Sequence, residues 1–234
     1  MAGQVTELPV WDTISTAWEK TYGAKATFWG AILILAAIMF GIGVLEGISS
    51  QSSVISGLFQ VIGNILGYFL QLGIIYIGIT RAKDLPINYK MMFTTFDLML
   101  ALRLIGLYIL QTLIFLIPIA IGAIGVYIYM MGSSSTTFIG GLIFLISVII
   151  GIVIAIRLSL SMAFILDTRE GPVAAIKHSL AATNHNFWNL VGIYLLQVII
   201  IIVSIIPLGI GLIWSIPFVL INYGMIYKIL RVNT

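Results

Sequence analysis

Six polar side chains lie inside long apolar stretches of this 234-residue sequence, and they are the residues best placed to do chemistry. Polar groups surrounded by hydrocarbon need hydrogen-bond partners, so they either hold helices together or face a ligand, an ion or a wet cavity. We therefore treat them as a candidate polar intramembrane or lipid site. They are Gln60, Asn64, Gln71, Gln111, Arg157 and Gln197.

Three of these residues belong to a polar stripe on one predicted helix. At about 100° per residue, Gln60, Asn64 and Gln71 fall with four small residues within about a quarter of the helix circumference. Two interpretations stay open. The stripe packs against another helix, with amides bonding across the interface, or it lines the path of a substrate. The small residues are Ser53, Gly57, Gly67 and Gly78.

Arg157 is the only basic residue well inside an apolar stretch, ten residues before Asp167. Burying its charge costs at least ~2.5–3.5 kcal/mol on insertion scales, which favours a functional role such as binding a lipid phosphate. The alternative is that its long side chain reaches towards headgroups or bonds to backbone carbonyls. Gln111 and Gln197 occupy matching positions of an internal repeat, and a symmetric amide contact explains them most simply.

Signals of catalysis and of metal binding are missing from the sequence. It has no cysteine, no His-Glu-x-x-His motif, no Gly-x-Ser-x-Gly motif and no phosphate-binding glycine loop. His178 and His185 lie seven residues apart without a third ligand, so we expect them to face solvent or headgroups. The sequence therefore predicts a protein that is not an enzyme and has no cofactor.

The composition indicates an integral membrane protein. Hydrophobic residues make up 61% of the chain and charged residues 8%, which is too little polar surface to cover a water-exposed globule. Apolar runs of roughly 18 residues or more can each cross about 30 Å of hydrocarbon as a helix. We predict an all-α integral membrane protein, with residues 1–234 in a single membrane domain. Its six transmembrane spans are 27–46, 54–80, 101–131, 138–166, 187–206 and 211–229.

The charge pattern predicts the orientation of these spans. Lysine and arginine are absent from the connections after spans one, three and five. By the positive-inside rule, both termini are cytoplasmic, and we expect the protein in the inner membrane. No small-residue cleavage site follows the first span, so we expect it to stay as an uncleaved anchor. The net charge of +3 is too small to indicate nucleic acid, and the basic residues suit the anionic headgroups of the lipid bilayer.

Three short stretches mark an internal repeat. Each contains an acidic residue, a spacer, a proline and a β-branched residue, at 7–10, 84–87 and 170–173. A longer match, between Ile105–Gln111 and Val191–Gln197, keeps the 86-residue offset of the second and third prolines. We therefore predict three tandem, parallel helical-hairpin repeats related by an axis along the membrane normal. The repeats span about 7–83, 84–169 and 170–234.

Each predicted repeat begins with an amphipathic interfacial helix on the cytoplasmic side. In the first, Val10, Ile14, Trp18 and Tyr22 form an apolar stripe suited to the headgroup layer. The second and third segments cover 86–97 and 172–186, and the second is the more apolar. A short soluble helix leading into the first span is the alternative to an interfacial one.

The third repeat marker lies in a segment that resembles a known family. Arg157 leads a helix that ends near Asp167, followed by Gly171-Pro172-Val173-Ala174-Ala175-Ile176-Lys177-His178-Ser179-Leu180 and the aromatic pair Phe187-Trp188. This pattern resembles the membrane domains attached to some glycerophosphoryl diester phosphodiesterases, and related uncharacterised bacterial multi-span proteins. The soluble phosphodiesterase domain has no counterpart in this sequence. The resemblance therefore implies a membrane-domain role and no catalysis.

The sequence favours a non-enzymatic, multi-span inner-membrane protein that interacts with lipids or serves as a scaffold or assembly module. A small transporter or channel that uses the polar stripe of span two is the alternative. An intramembrane lipid-modifying enzyme is the least favoured, because no two polar or ionisable side chains are predicted to converge in a cleft.

Overall fold

The structure is a computed structural model that describes residues 6–132 and 134–233. Ser133, in the predicted connection between spans three and four, lies outside the described residues. The described part contains nine α-helices and two 3-10 helices, Tyr89–Phe96 and Arg231–Asn233. The α-helices are α1 Val10–Thr21, α2 Lys25–Ile48, α3 Ser53–Ala82, α4 Leu98–Met130, α5 Ser134–Leu158, α6 Ser161–Thr168, α7 Pro172–Thr183, α8 Phe187–Ile205 and α9 Leu212–Leu230.

In the described residues, six helical stretches are long and apolar enough to cross a membrane, and they coincide with the six predicted spans. The fourth differs in detail, because Ser159 and Leu160 interrupt it between α5 and α6. The Ser159 hydroxyl donates to the carbonyl of Ile156 and the Ser161 hydroxyl to that of Leu158. These side chains compete with backbone N–H groups for helical carbonyls and so weaken the helix at this point.

The chain packs as two compact units. The first comprises the described part of Met1–Ala101 together with Trp188–Asn233, and the second comprises Leu102–Phe187. The first unit therefore contains α1, α2 and α3 with nearly all of α8 and α9. The second contains most of α4 with α5, α6 and α7.

Glycines on α3 allow the helices of the first unit to approach closely. A Cβ at Gly63 would lie 3.0 Å from the Ile42 side chain of α2, which runs antiparallel to α3. Further along α3, a Cβ at Gly78 would meet the Leu220 backbone of α9. A Cβ at Gly73 would overlap the Met92 backbone of the first 3-10 helix. α3 is therefore the central helix of this unit.

Helix α1 runs antiparallel to α9 along most of its length. Near its start, the Thr6 N–H donates to Asn233 Oδ1 at 2.9 Å, and Asn233 Nδ2 donates to the Thr6 carbonyl at 3.0 Å. Further along α1, the Trp18 ring lies 5.4 Å from that of Phe218, which precedes Asn233 by fifteen residues. The position of α1 relative to a bilayer stays a prediction.

The buried face of α1 differs from the predicted apolar stripe. Thr13, Ala17 and Thr21 are buried, whereas Trp18 is 37% and Tyr22 61% exposed. Both threonine hydroxyls donate to carbonyls one turn earlier, so they need no partner on another helix. Small residues permit close helix contact, which a stripe of large side chains would prevent.

The second predicted interfacial segment is a 3-10 helix, Tyr89–Phe96, and not an α-helix. It begins at Asn88, whose Oδ1 accepts a 2.9 Å hydrogen bond from the N–H of Lys90. The hydroxyl of Thr95 donates to the Phe69 carbonyl of α3 at 2.8 Å, so the segment is tied to a span of the same unit.

The second unit positions α7 against the break between α5 and α6. Its first residue, Pro172, lies against Gly106 of α4, where a Cβ would come 3.0 Å from the proline Cγ. Gly125 of α4 and Gly140 of α5 also approach each other closely, with 2.9 Å between a Gly125 Cβ and the Gly140 carbonyl oxygen. The proline of the third repeat marker thus makes a specific packing contact.

Candidate functional site

The three amide side chains of the polar stripe are exposed on α3 and have no hydrogen-bond partner among the described residues. Gln60, Asn64 and Gln71 are exposed, and no hydrogen bond joins their side chains to any described residue. Gly67, in the same stripe, is buried, and a Cβ there would lie 3.3 Å from the Met39 sulfur. Gly67 therefore packs against α2, while the amides keep their hydrogen-bonding capacity for another partner.

Arg157 lies in the last turn of α5 and is partly buried. Its Nη1 donates to Asn184 Oδ1 at 2.9 Å, and its Cζ lies 5.7 Å from the ring centre of Phe187. A guanidinium has five N–H donors, and one of them is used here. The remaining donors can bind an anionic group, and the helix C-terminus favours a cation at this position.

Hydroxyl groups of α7 hold the backbone around Arg157. The buried Ser179 hydroxyl donates to the Arg157 carbonyl at 2.7 Å and accepts from the Leu160 N–H at 3.2 Å. The Thr183 hydroxyl lies 3.4 Å from the same carbonyl. These contacts replace helical hydrogen bonds lost at the break, so the end of α5 is held in place without the guanidinium.

Gln111 and Gln197 have different surroundings, although they match in the sequence repeat. Gln111 Nε2 donates to the Ser161 hydroxyl at 2.9 Å. Gln197 is 7% exposed, and its Nε2 has no hydrogen-bond partner among the described residues. Gln111 therefore has a hydroxyl partner on α6, within its own unit, and the predicted symmetric amide contact stays a prediction.

Two further polar groups were missed from the sequence. Asn222 and Ser215 of α9 are fully buried, and neither side chain has a partner among the described residues. A buried amide without a hydrogen bond is costly, so Asn222 is a candidate for contact with a ligand or an ordered water. The criterion that selected Gln197, a polar residue in an apolar run, also applies to Asn222.

A charge cluster joins three elements of the first unit. Asp84, which follows α3 at a φ of 63°, accepts hydrogen bonds from Lys20 and Lys228. The Lys20 bond, and then the Lys228 bond, hold the pKa of the Asp84 carboxyl below its usual value. Arg81 donates to the carbonyls of Lys20 and Tyr22 at 3.0 and 3.1 Å. This cluster is structural, because every charge in it meets a protein partner.

An open groove of about 560 Å³ lies between α1 and α8 in the first unit. Its volume is typical of ligand sites, and its lining is mostly apolar with a few polar groups. Such a groove suits the acyl chain of a lipid. The sequence indicated the aromatic residues of α1 but offered no means of pairing them with α8. The lining residues are Trp11, Ile14, Ser15, Trp18, Glu19, Ile199, Ile200, Val203 and Ser204.

The histidines do not form a metal site in the described part of the chain, where no group of three potential ligands occurs. His178 Nδ1 lies 2.8 Å from Glu170 Oε2, and its ring lies tilted against that of Phe164, with 5.5 Å between the ring centres. The His178 side chain is 42% exposed and is held by this acidic partner, so its expected position facing solvent or headgroups stays a prediction. His185 is exposed, as expected.

The chain has no match among protein-family models, curated proteins or solved structures. The geometry of the described residues is therefore the basis for the functional proposal.

Proposed function

We propose that the protein is a non-enzymatic lipid-binding module of the inner membrane, with both termini in the cytoplasm. Arg157 carries the proposal. Its guanidinium is set at the end of an apolar helix, holds Asn184 with one donor and leaves four donors for an anionic headgroup. Phosphate oxygens suit this group, because arginine presents paired donors in a planar fork.

The surroundings of Arg157 support binding to a lipid rather than to a soluble anion. The guanidinium follows the apolar length of α5, which is long and apolar enough to lie in a bilayer. Phe187 shields one side of the guanidinium, and Asn184 orients it. A headgroup phosphate could meet the arginine while its acyl chains lie along apolar helix surface.

The order of elements supports the proposed three-repeat architecture. Each repeat has one short helical segment followed by two long apolar stretches. The short segments are α1, the first 3-10 helix and α7, and we propose that all three lie near the cytoplasmic headgroups. A scaffold role remains compatible with this arrangement, since such segments present polar faces to partners.

A transport function is the second candidate, and the open amides of α3 favour it. Gln60, Asn64 and Gln71 keep unused donors and acceptors within a helix of membrane-spanning length. Gln60→Leu and Asn64→Leu would each abolish flux of a transported solute in proteoliposomes without unfolding the protein. Gln51→Leu is the control, because Gln51 lies in the connection before α3. Undiminished flux in the α3 variants would refute this candidate.

The lipid proposal is tested by measuring retention of phosphatidylglycerol in nanodiscs by native mass spectrometry. Hydrogen bonds to charged groups contribute about 1.5–3 kcal/mol, so Arg157→Ala should weaken retention about 10-fold to 100-fold. Arg157→Lys keeps the charge but loses the planar fork. Its lipid retention should therefore lie between that of the native protein and that of Arg157→Ala.

Lys90→Ala is the matched control for loss of one positive charge. Lys90 is exposed on the first 3-10 helix, and its ammonium has no bond to a described residue. It should lower retention only slightly, as expected for general attraction to anionic lipid. Equal effects of Arg157→Ala and Lys90→Ala would contradict a specific site.

A further inference from the structure

The connection between α8 and α9 is apolar throughout. Residues 205–213 read IIPLGIGLI and contain no polar side chain, and Leu208 is 97% and Ile206 75% exposed. The connection between α2 and α3 is instead rich in serine, reading SSQSS at 49–53. A turn that met water would expose this apolar surface at a substantial cost, whereas hydrocarbon would solvate it.

The end of α9 is fastened to one end of the α2–α3 hairpin. This basic end consists of Lys25, where α2 begins, and Arg81–Asp84, where α3 ends. Lys228 Nζ donates to the Ala82 carbonyl at 3.0 Å. A Cβ at Gly224 would lie 2.9 Å from the Ala82 side chain. α9 therefore runs in the same direction as α3 and finishes beside it.

The first turn of α9 contacts two long side chains from the first two turns of α2. Trp29, in the second turn of α2, donates through Nε1 to the Ile213 carbonyl at 3.1 Å. The Lys25 ammonium, at the first residue of α2, lies 4.6 Å from the centre of the Trp214 ring. This first turn therefore does not reach the serine-rich connection, which lies at the other end of α2 and α3.

Residue counts along α3 give the depth that the turn reaches. Gly78 packs against Leu220, and α9 begins at Leu212, eight residues or about 12 Å before Leu220 at 1.5 Å per residue. The start of α9 is then level with Leu70 of α3. Ile42 packs against Gly63, which places Glu46 about one turn beyond Gly63 and leaves the start of α9 about 16 Å short of that charge. The tip thus ends within the apolar stretch of the first hairpin.

The backbone of the turn can tolerate hydrocarbon because its hydrogen bonds are local. The N–H of Leu208 donates to Ile206, that of Gly209 to Ile205 and that of Leu212 to Gly209, each at 2.9 Å. Left-handed φ values of 54° at Leu208 and 79° at Gly209 close the turn. Irregular backbone in a membrane requires such internal pairing.

We infer that α8 and α9 form a re-entrant hairpin whose tip, residues 206–211, contacts lipid acyl chains inside the bilayer. The chain then crosses the membrane four times and dips into it once from the basic side. Both termini stay on the same side, as the charge pattern requires. The inference rests on contacts within the first unit and does not depend on the proposed lipid function.

Single-cysteine labelling tests this topology, because the native chain has no cysteine. Leu208→Cys is compared with Ser50→Cys in intact cells, in broken cells and in detergent, using a membrane-impermeant maleimide. Position 50 should react from one face of the intact membrane. Position 208 should react only after detergent removes the lipid, because maleimide needs a hydrated thiolate.

Depth-dependent quenching provides an independent measurement. A bimane attached at position 208 should be quenched at least twofold more by lipids brominated near the acyl-chain terminus than by lipids brominated near the headgroup. Bimane at position 50 should show the opposite order. If Leu208→Cys does not fold, Ile210→Cys replaces it. Labelling of either tip position from the face that labels Ser50→Cys would overturn the inference.

Discussion

The contact between α3 and α9 gives the sharpest structural prediction. Gly78→Ala adds one methyl group where the backbone of Leu220 already lies, with 2.7 Å between the new Cβ and the Leu220 carbonyl carbon. The obstacle is backbone, so no side-chain rotation can relieve it. The two helices must separate, and the contacts on both sides of the glycine are lost.

The magnitude follows from comparison with a second glycine on the same helix. Gly57→Ala gains about 1 kcal/mol of helix propensity and meets no atom within 4 Å. Gly78→Ala gains the same propensity but adds overpacking of about 1–3 kcal/mol. The difference between the variants is therefore about 1–3 kcal/mol, which corresponds to about 2–12 °C in Tm for a chain of this size.

The assay is thermal unfolding in detergent, with the folded fraction measured by size-exclusion chromatography after heating. Gly57→Ala should unfold at or slightly above the temperature of the native protein, and Gly78→Ala should unfold below both. If Gly78→Ala is as stable as Gly57→Ala, the close approach of α3 to α9 is wrong, and the depth assigned to the α8–α9 turn is wrong with it.

Three further predictions concern hydrogen bonds and charge. Because Lys20 and Lys228 lower the pKa of Asp84, its stabilising charge persists above its unfolded pKa of about 3.9 and is lost as pH falls through the lower folded value. Asp84→Asn, which tolerates the positive φ, should therefore flatten the acid limb of a Tm-against-pH curve below about pH 4. Ser179→Ala should lower the free energy of unfolding by about 1–3 kcal/mol in denaturant titrations, because it leaves buried backbone groups unpaired. Gln197→Leu should preserve or raise Tm, whereas Gln111→Leu should lower it; the reverse order would show that a group beyond the described residues satisfies Gln197.

Much of the helical architecture was predictable from the sequence. The length of the apolar runs alone located the six stretches, because each run carries few charges and is long enough to cross about 30 Å of hydrocarbon. The break at Ser159 was not predictable, because hydroxyl groups inside a helix usually bond locally without interrupting it. The 3-10 form of Tyr89–Phe96 was equally unpredictable, since Met92 of this segment packs against the backbone of α3 at Gly73 and no local pattern reports that contact.

The candidate functional residues were predictable from the sequence, but their partners were not. A polar type inside an apolar run was enough to select Arg157 and Gln197. Their partners were not visible, because Asn184 and Phe187 reach Arg157 only after α7 folds back against the end of α5. The groove between α1 and α8 joins segments about 180 residues apart, and no local pattern reports such a contact.

Composition and charge spacing by themselves determined that this is a helical, multi-span protein, because hydrocarbon accepts only backbones that pair their own polar groups. They also determined which polar residues need an explanation. Tertiary structure alone decided which of those residues are exposed, which are paired and which helices lie side by side. Those properties depend on the glycines that let particular helices touch, and on side chains such as Trp29 and Lys228 that fasten α9 at both ends.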